Sequence, residues 1–110
     1  MSRLVCDHAA ILKKLHIATP AQRKKLLAGN DKNLLRCLCE CAKNILKGNV
    51  PLTTPQKKAL RRHRQKLNKL VLKKTPAKTK KKIVQSGGFL GAILSPIVGL
   101  LGRLFGIGSD

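Results

Sequence analysis

Apolar positions along this chain recur at intervals of three and four, and no stretch alternates in twos, so the sequence predicts helices and no strands. Leu4, His8, Ile11, Leu12 and Leu15 define a first helical face. Thr19-Pro20 closes that segment and offers an N-cap and a first-turn proline to a short helix over about residues 21–28. Gly29-Asn30 ends it, and Asp31 is placed to cap a third helix with apolar positions Leu34, Leu35, Leu38, Cys41, Ala42, Ile45 and Leu46. Gly48-Asn49 terminates that helix. After the turn Val50-Pro51-Leu52-Thr53, the pair Thr54-Pro55 starts a fourth helix reaching about Leu72, with Leu60, Leu67, Leu70 and Val71 on its apolar side. The short turn between the third and fourth helices predicts an antiparallel pair whose apolar faces supply most of the core.

The pattern changes after Leu72. Residues 73–86, KKTPAKTKKKIVQS, carry little apolar content and include Pro76, and read as a flexible basic linker. Beyond Gly87-Gly88 the chain becomes apolar. In helical projection Gly88, Gly91, Ser95, Gly99, Gly102 and Gly106 form one small-residue stripe, and Phe89, Leu90, Ile93, Leu94, Ile97, Leu101, Leu104 and Phe105 cover the rest. That apolar run is too short to span a bilayer before Arg103, and Pro96 predicts a kink. Interfacial insertion into anionic lipid and burial against another protein both stay open for these eight apolar residues. The expected architecture is all-α in three parts: a helical bundle over 1–72, a basic flexible linker over 73–88, and an apolar tail over 89–110.

Charge sharpens this picture. The 110 residues carry a formal net charge of +20, and residues 57–82 hold thirteen Lys/Arg and no acid. Lys57, Lys58, Arg61, Arg62, Arg64, Lys66, Lys69, Lys73, Lys74, Lys78, Lys80, Lys81 and Lys82 form a single-signed run, where a merely solvated helix would mix signs. Such a run suits a polyanion, because each neutralised phosphate releases counterions without base-specific contact. With two Phe and no Tyr or Trp, stacking platforms for unpaired bases are scarce, which favours duplex phosphate. Self-repulsion at this charge opposes compaction, most of all in the C-terminal half. RRHR at 61–64 and KTKKK at 78–82 also fit the basic clusters of nuclear import signals, a weak pattern.

The N-terminal apolar stretch is short and interrupted by Asp7 and His8, unlike a secretory signal, so a reducing compartment and free thiols are expected for Cys6, Cys37, Cys39 and Cys41. On a helix Cys37 and Cys41 share a face while Cys39 points away, so the Cys-X-Cys-X-Cys run reads as small buried or half-buried thiols, not metal ligands. Three histidines, four thiols and four acids, with no phosphate loop or paired carboxylates, point to no enzyme and no cofactor.

The order CECAKNILKGNVPLT, PQKKALRRHRQKL, KKKIVQSGGFLGAILSPIVG resembles the small basic proteins of Maverick/Polinton elements and adintoviruses, which have been likened to the adenovirus core protein pX, the precursor of mu. The resemblance covers residues 31–102. It implies a virion core protein, present also in the host nucleus, that binds and condenses double-stranded DNA and meets capsid proteins. It further implies a viral cysteine protease cutting at Gly87-Gly88-Phe89. Gln85 departs from the adenoviral preference for Met, Ile or Leu, and two glycines would let an extended backbone enter a narrow cleft. A flexible hinge is the competing reading there. From another class comes a membrane-active minor capsid protein that acts through its apolar C-terminal tail on anionic membrane.

Overall fold

In the computed structural model, which describes residues 3–28, 32–86 and 88–105 with side chains as far as Arg103, all regular structure is helical. The helices are α1 (Arg3–Asp7), α2 (Ala9–Ile17), α3 (Pro20–Ala28), α4 (Lys32–Leu46), α5 (Thr54–Arg62), α6 (Arg64–Val71), α7 (Ala77–Gln85) and α8 (Phe89–Phe105). The all-α expectation holds.

Local chemistry accounts for most of the boundaries. Thr19 and Gln22 exchange backbone-to-side-chain hydrogen bonds of 2.9 and 3.2 Å, a reciprocal cap at the start of α3. Thr53 and Gln56 repeat it at 2.9 and 3.3 Å for α5, so Thr53, and not Thr54, is the N-cap. The α4 C-terminus closes with Gly48 N–H donating to Ile45 O and Asn49 N–H to Asn44 O, the paired bonds of a Schellman turn. Gly48 has φ +78, a left-handed conformation that glycine takes without Cβ strain. The Asp31 cap and Gly29-Asn30 lie outside the described residues.

Two expected helices are each divided at a histidine. The first breaks at His8, whose Nδ1 donates to Leu4 O at 2.8 Å. The fourth breaks at His63, at φ −109 and ψ 15, into α5 and α6. This second break re-aims the chain: α6 packs on α4, whereas α5 packs on α8. The packing expected between the third and fourth helices is therefore made by α4 and α6.

The larger corrections concern residues beyond Leu72. The expected flexible linker contains α7, because Ile83 and Val84 are buried and pack the helix on α3, α4, α6 and α8. Thr75, itself buried, fixes the preceding turn by donating Oγ1–H to Lys69 O at 2.7 Å. The expected tail is the centre of the protein. α8 packs on α2, α4, α5 and α7, and Phe89, Leu90, Ile93, Leu94, Ile97 and Leu101 are at most 3% exposed. A helix that is apolar around most of its circumference is stable either in lipid or enclosed by other helices, and here its own chain encloses it. α8 runs through Pro96 as one helix. The radius of gyration is 12.8 Å, near the roughly 13 Å of a compact domain of this length, so the described C-terminal half is part of the globule.

Candidate polyanion-binding surface

The outward faces of α5 and α6 follow from their inward ones. Leu60, Leu67 and Leu70 turn to the core, which leaves Lys57, Lys58, Arg61, Arg62, Arg64 and Lys69 exposed, with Lys66 half-buried. Lys73, Lys74, Lys78, Lys81 and Lys82 continue the exposed series on the α6–α7 turn and on α7, with Lys80 half-buried. α6 and α7 are in contact, so the helices that carry cations distant in sequence are neighbours in the fold. At the His63 break the backbone opens a shallow recess of about 660 Å³ lined by Arg61, Arg62, Arg64, Gln65, Lys66 and Asn68.

Three contacts fasten this surface to the core. Gln56 Nε2 donates to Ser95 Oγ at 3.2 Å, linking the first turn of α5 to the middle of α8. Lys66 Nζ donates to Ser86 Oγ at 3.1 Å, and Ser86 Oγ–H donates to Ile83 O at 2.6 Å. His63 meets Phe89 edge to face, with ring centroids 5.7 Å apart and planes at 82°. Gly88 lies against the same imidazole: a Cβ there would stand 3.6 Å from His63 Nε2. Partial burial, then the charges of Lys66 and Arg62, lower the His63 pKa from its ordinary value.

Electrostatically the surface is uncompensated. The two ion pairs among the described residues are Arg3–Asp7 at 3.8 Å and Lys43–Glu40 at 3.4 Å, and both lie outside residues 57–82. These pairs use both described carboxylates, Asp7 and Glu40. Asp31 and Asp110 lie outside the described residues.

No protein-family model, curated protein or solved structure matches this chain.

One set of basic residues escaped the sequence reading. α3 packs on α7, and exposed Lys24 lines a recess of about 310 Å³ with Gln85, Ser86 and Gly88, whereas exposed Lys25 faces a different recess beside Lys14 of α2. The Lys-Lys pair was visible in the sequence, but the adjacency of Lys24 to a segment about sixty residues away was not. Arg23 has another task. Its Nε donates to Leu15 O at 2.9 Å and its Nη2 to His16 O at 3.0 Å, capping the C-terminus of α2.

The other candidate sites change meaning. At Gly87-Gly88-Phe89, Gly87 lies outside the described residues, Gly88 is an exposed turn residue with φ +75, and Phe89 is fully buried at the start of α8. A protease needs extended backbone, so cutting there would first require Phe89 and Leu90 to leave the core. Phe89, Leu90, Ile93, Leu94, Ile97 and Leu101, expected to face lipid or a partner, are held inside the protein; the side chains of Leu104 and Phe105 lie outside the described residues. No single described helix is long and apolar enough to cross a membrane.

The cysteines are thiols, with no metal-holding group among the described residues. Cys37 and Cys41 are fully buried; a hydrogen bond to Cys37, followed by burial, pushes the Cys41 thiol pKa up. Cys39 falls within the expected class of buried or half-buried thiols. It is buried beneath α6 and donates Sγ–H to Leu70 O at 3.7 Å.

Proposed function

We propose that this chain binds and condenses double-stranded nucleic acid by neutralising phosphates across the α5–α6–α7 surface, without reading base sequence and without catalysis. The observation that carries this reading is that the 57–82 cations, none of them in an ion pair with a described carboxylate, sit mostly exposed on packed helices, with α5 and α6 held by the Gln56–Ser95, Lys66–Ser86 and His63–Phe89 contacts. Fixed cations lose less conformational freedom on meeting a phosphate row than a disordered tract would. The scarcity of aromatic side chains favours a duplex over unpaired bases. Together with the resemblance to Maverick/Polinton and adintovirus basic proteins, this suggests a virion structural protein that accompanies DNA in the capsid and in the host nucleus.

The membrane-active alternative draws no support from the folded arrangement, because the apolar side chains it needs are enclosed. Cleavage at Gly88 as a maturation step would require buried Phe89 and Leu90 to leave the core first. The deciding experiment is duplex binding across a salt series. An affinity falling by about 0.9 decade per decade of salt for each neutralised phosphate, and equal on unrelated sequences, is expected. Weak binding that salt barely alters would remove the proposal.

A further inference from the structure

A second large concavity, with a different lining, lies where α1, α4 and the Thr75 turn meet the start of α7. Its volume is about 660 Å³, within the range of sites that enclose ligands or anchor side chains. The floor is apolar: half-buried Leu4 and Leu35 with buried Cys39 beneath. Its polar atoms are already engaged within the chain. Cys39 Sγ–H donates to Leu70 O, Thr75 Oγ1–H to Lys69 O, and Asn44 Nδ2 to Glu40 O. The rim is cationic, with exposed Arg36 and Lys81 and half-buried Lys80, and its one carboxylate, Glu40, is paired with Lys43 at 3.4 Å.

An apolar floor ringed by cations is complementary to an aliphatic side chain flanked by carboxylates. A duplex presents charged phosphate outward and would leave this floor uncovered, so the groove does not suit the ligand of the α5–α6–α7 surface. We propose that the α1–α4–α7 groove is a docking site for an acidic peptide segment of another protein. The segment seats leucine-like anchors on Leu4 and Leu35 and lays Asp or Glu against Arg36, Lys80 and Lys81. The anchors gain from burial, and the carboxylates select partner and orientation. Because Lys80 and Lys81 also belong to the 57–82 cations, the same side chains serve both ligands at one edge of the groove, so docking and duplex binding compete there.

The test uses the full chain and three labelled peptides: one with Leu at i and i+4 flanked by Asp and Glu, the same peptide with both Leu replaced by Ser, and polyglutamate. Fluorescence anisotropy is read at a salt concentration that suppresses polyglutamate binding. The Leu peptide should bind about tenfold or more tightly than the Ser peptide. Leu35→Ser should abolish that preference while leaving duplex affinity unchanged, with folding checked by circular dichroism. Arg36→Glu, at an exposed position that cannot perturb the core, should weaken the Leu peptide severalfold. Equal affinity for all three peptides, no binding of the Leu peptide, or a Leu peptide indifferent to both substitutions would overturn the proposal. So would loss of duplex binding on Leu35→Ser, which would make the groove part of the nucleic-acid surface.

Discussion

The rings of His63 and Phe89 form a T-shaped pair with centroids 5.7 Å apart, so the break between α5 and α6 rests on the first residue of the central helix. Through this pair the cationic surface and the apolar core share a boundary. His63→Ala should cost about 1 kcal/mol, typical of an aromatic pair. Phe89→Ala, which empties a fully buried site, should cost about 3–5 kcal/mol. Urea denaturation of the two variants would measure the difference, and equal losses would mean that His63 contributes packing comparable to that of the core ring.

The same histidine gives stability a pH dependence of definite sign. Burial and neighbouring cations lower the folded-state pKa of His63, and His16 is lowered too, by burial and then by Arg23. The unfolded chain therefore takes up protons more readily. Stability from both groups is complete above about pH 6.5 and is lost as pH falls through the lowered folded-state values. The melting temperature of the free protein should drop on acidification below that point. The His16→Gln, His63→Gln double variant should show a smaller drop. If duplex binds as proposed, phosphate near His63 should also flatten the dependence.

A chain ending at Gly88 should fail to fold. It lacks the six apolar side chains of α8 that are at most 3% exposed. At about 1.5–3 kcal/mol each, their loss is on the order of 10 kcal/mol, as large as the whole stability of a typical small domain. Circular dichroism and urea titration would report it. A cooperative transition in the shortened chain would mean that α1–α7 sustain a core without α8.

Replacing Arg61, Arg62, Arg64 and Lys66 by Gln should lower the salt slope of duplex binding by up to about 4, one for each phosphate contact removed. Losses should be similar on unrelated sequences. A slope unchanged by all four substitutions would place the contacts on α7 and α3 instead.

The helices were legible wherever a local signal marks them. Thr19-Pro20, the Thr53–Gln56 box and Gly48 act within a few residues, and each lies at or beside a boundary foreseen from sequence. The break at His63 was not legible, because no proline or glycine interrupts RRHRQKL and the bend depends on what α5 and α6 separately touch. The place of α8 was hidden for a different reason. An apolar helix looks the same whether lipid, a partner or its own chain surrounds it, and only the tertiary contacts decide. α7 was missed because Ile83 and Val84 are two apolar residues in a lysine-rich run, enough to pack a helix but too few to set a period. The candidate cations were legible as a list, whereas the packing of α7 on α6 and α3, which sets them beside one another's helices, required the fold.

The central position of α8 also governs how the chain acquires its structure. α8 is synthesised after every helix it packs on, and its contact with α2 joins segments about eighty residues apart. Contacts so distant in sequence slow folding relative to bundles built from neighbouring helices. Until residues 89–105 have been made and have left the ribosome, the cationic segments lack the helix that will hold them. For that interval they are unshaped polycation, and completion of the core is what turns them into a defined surface.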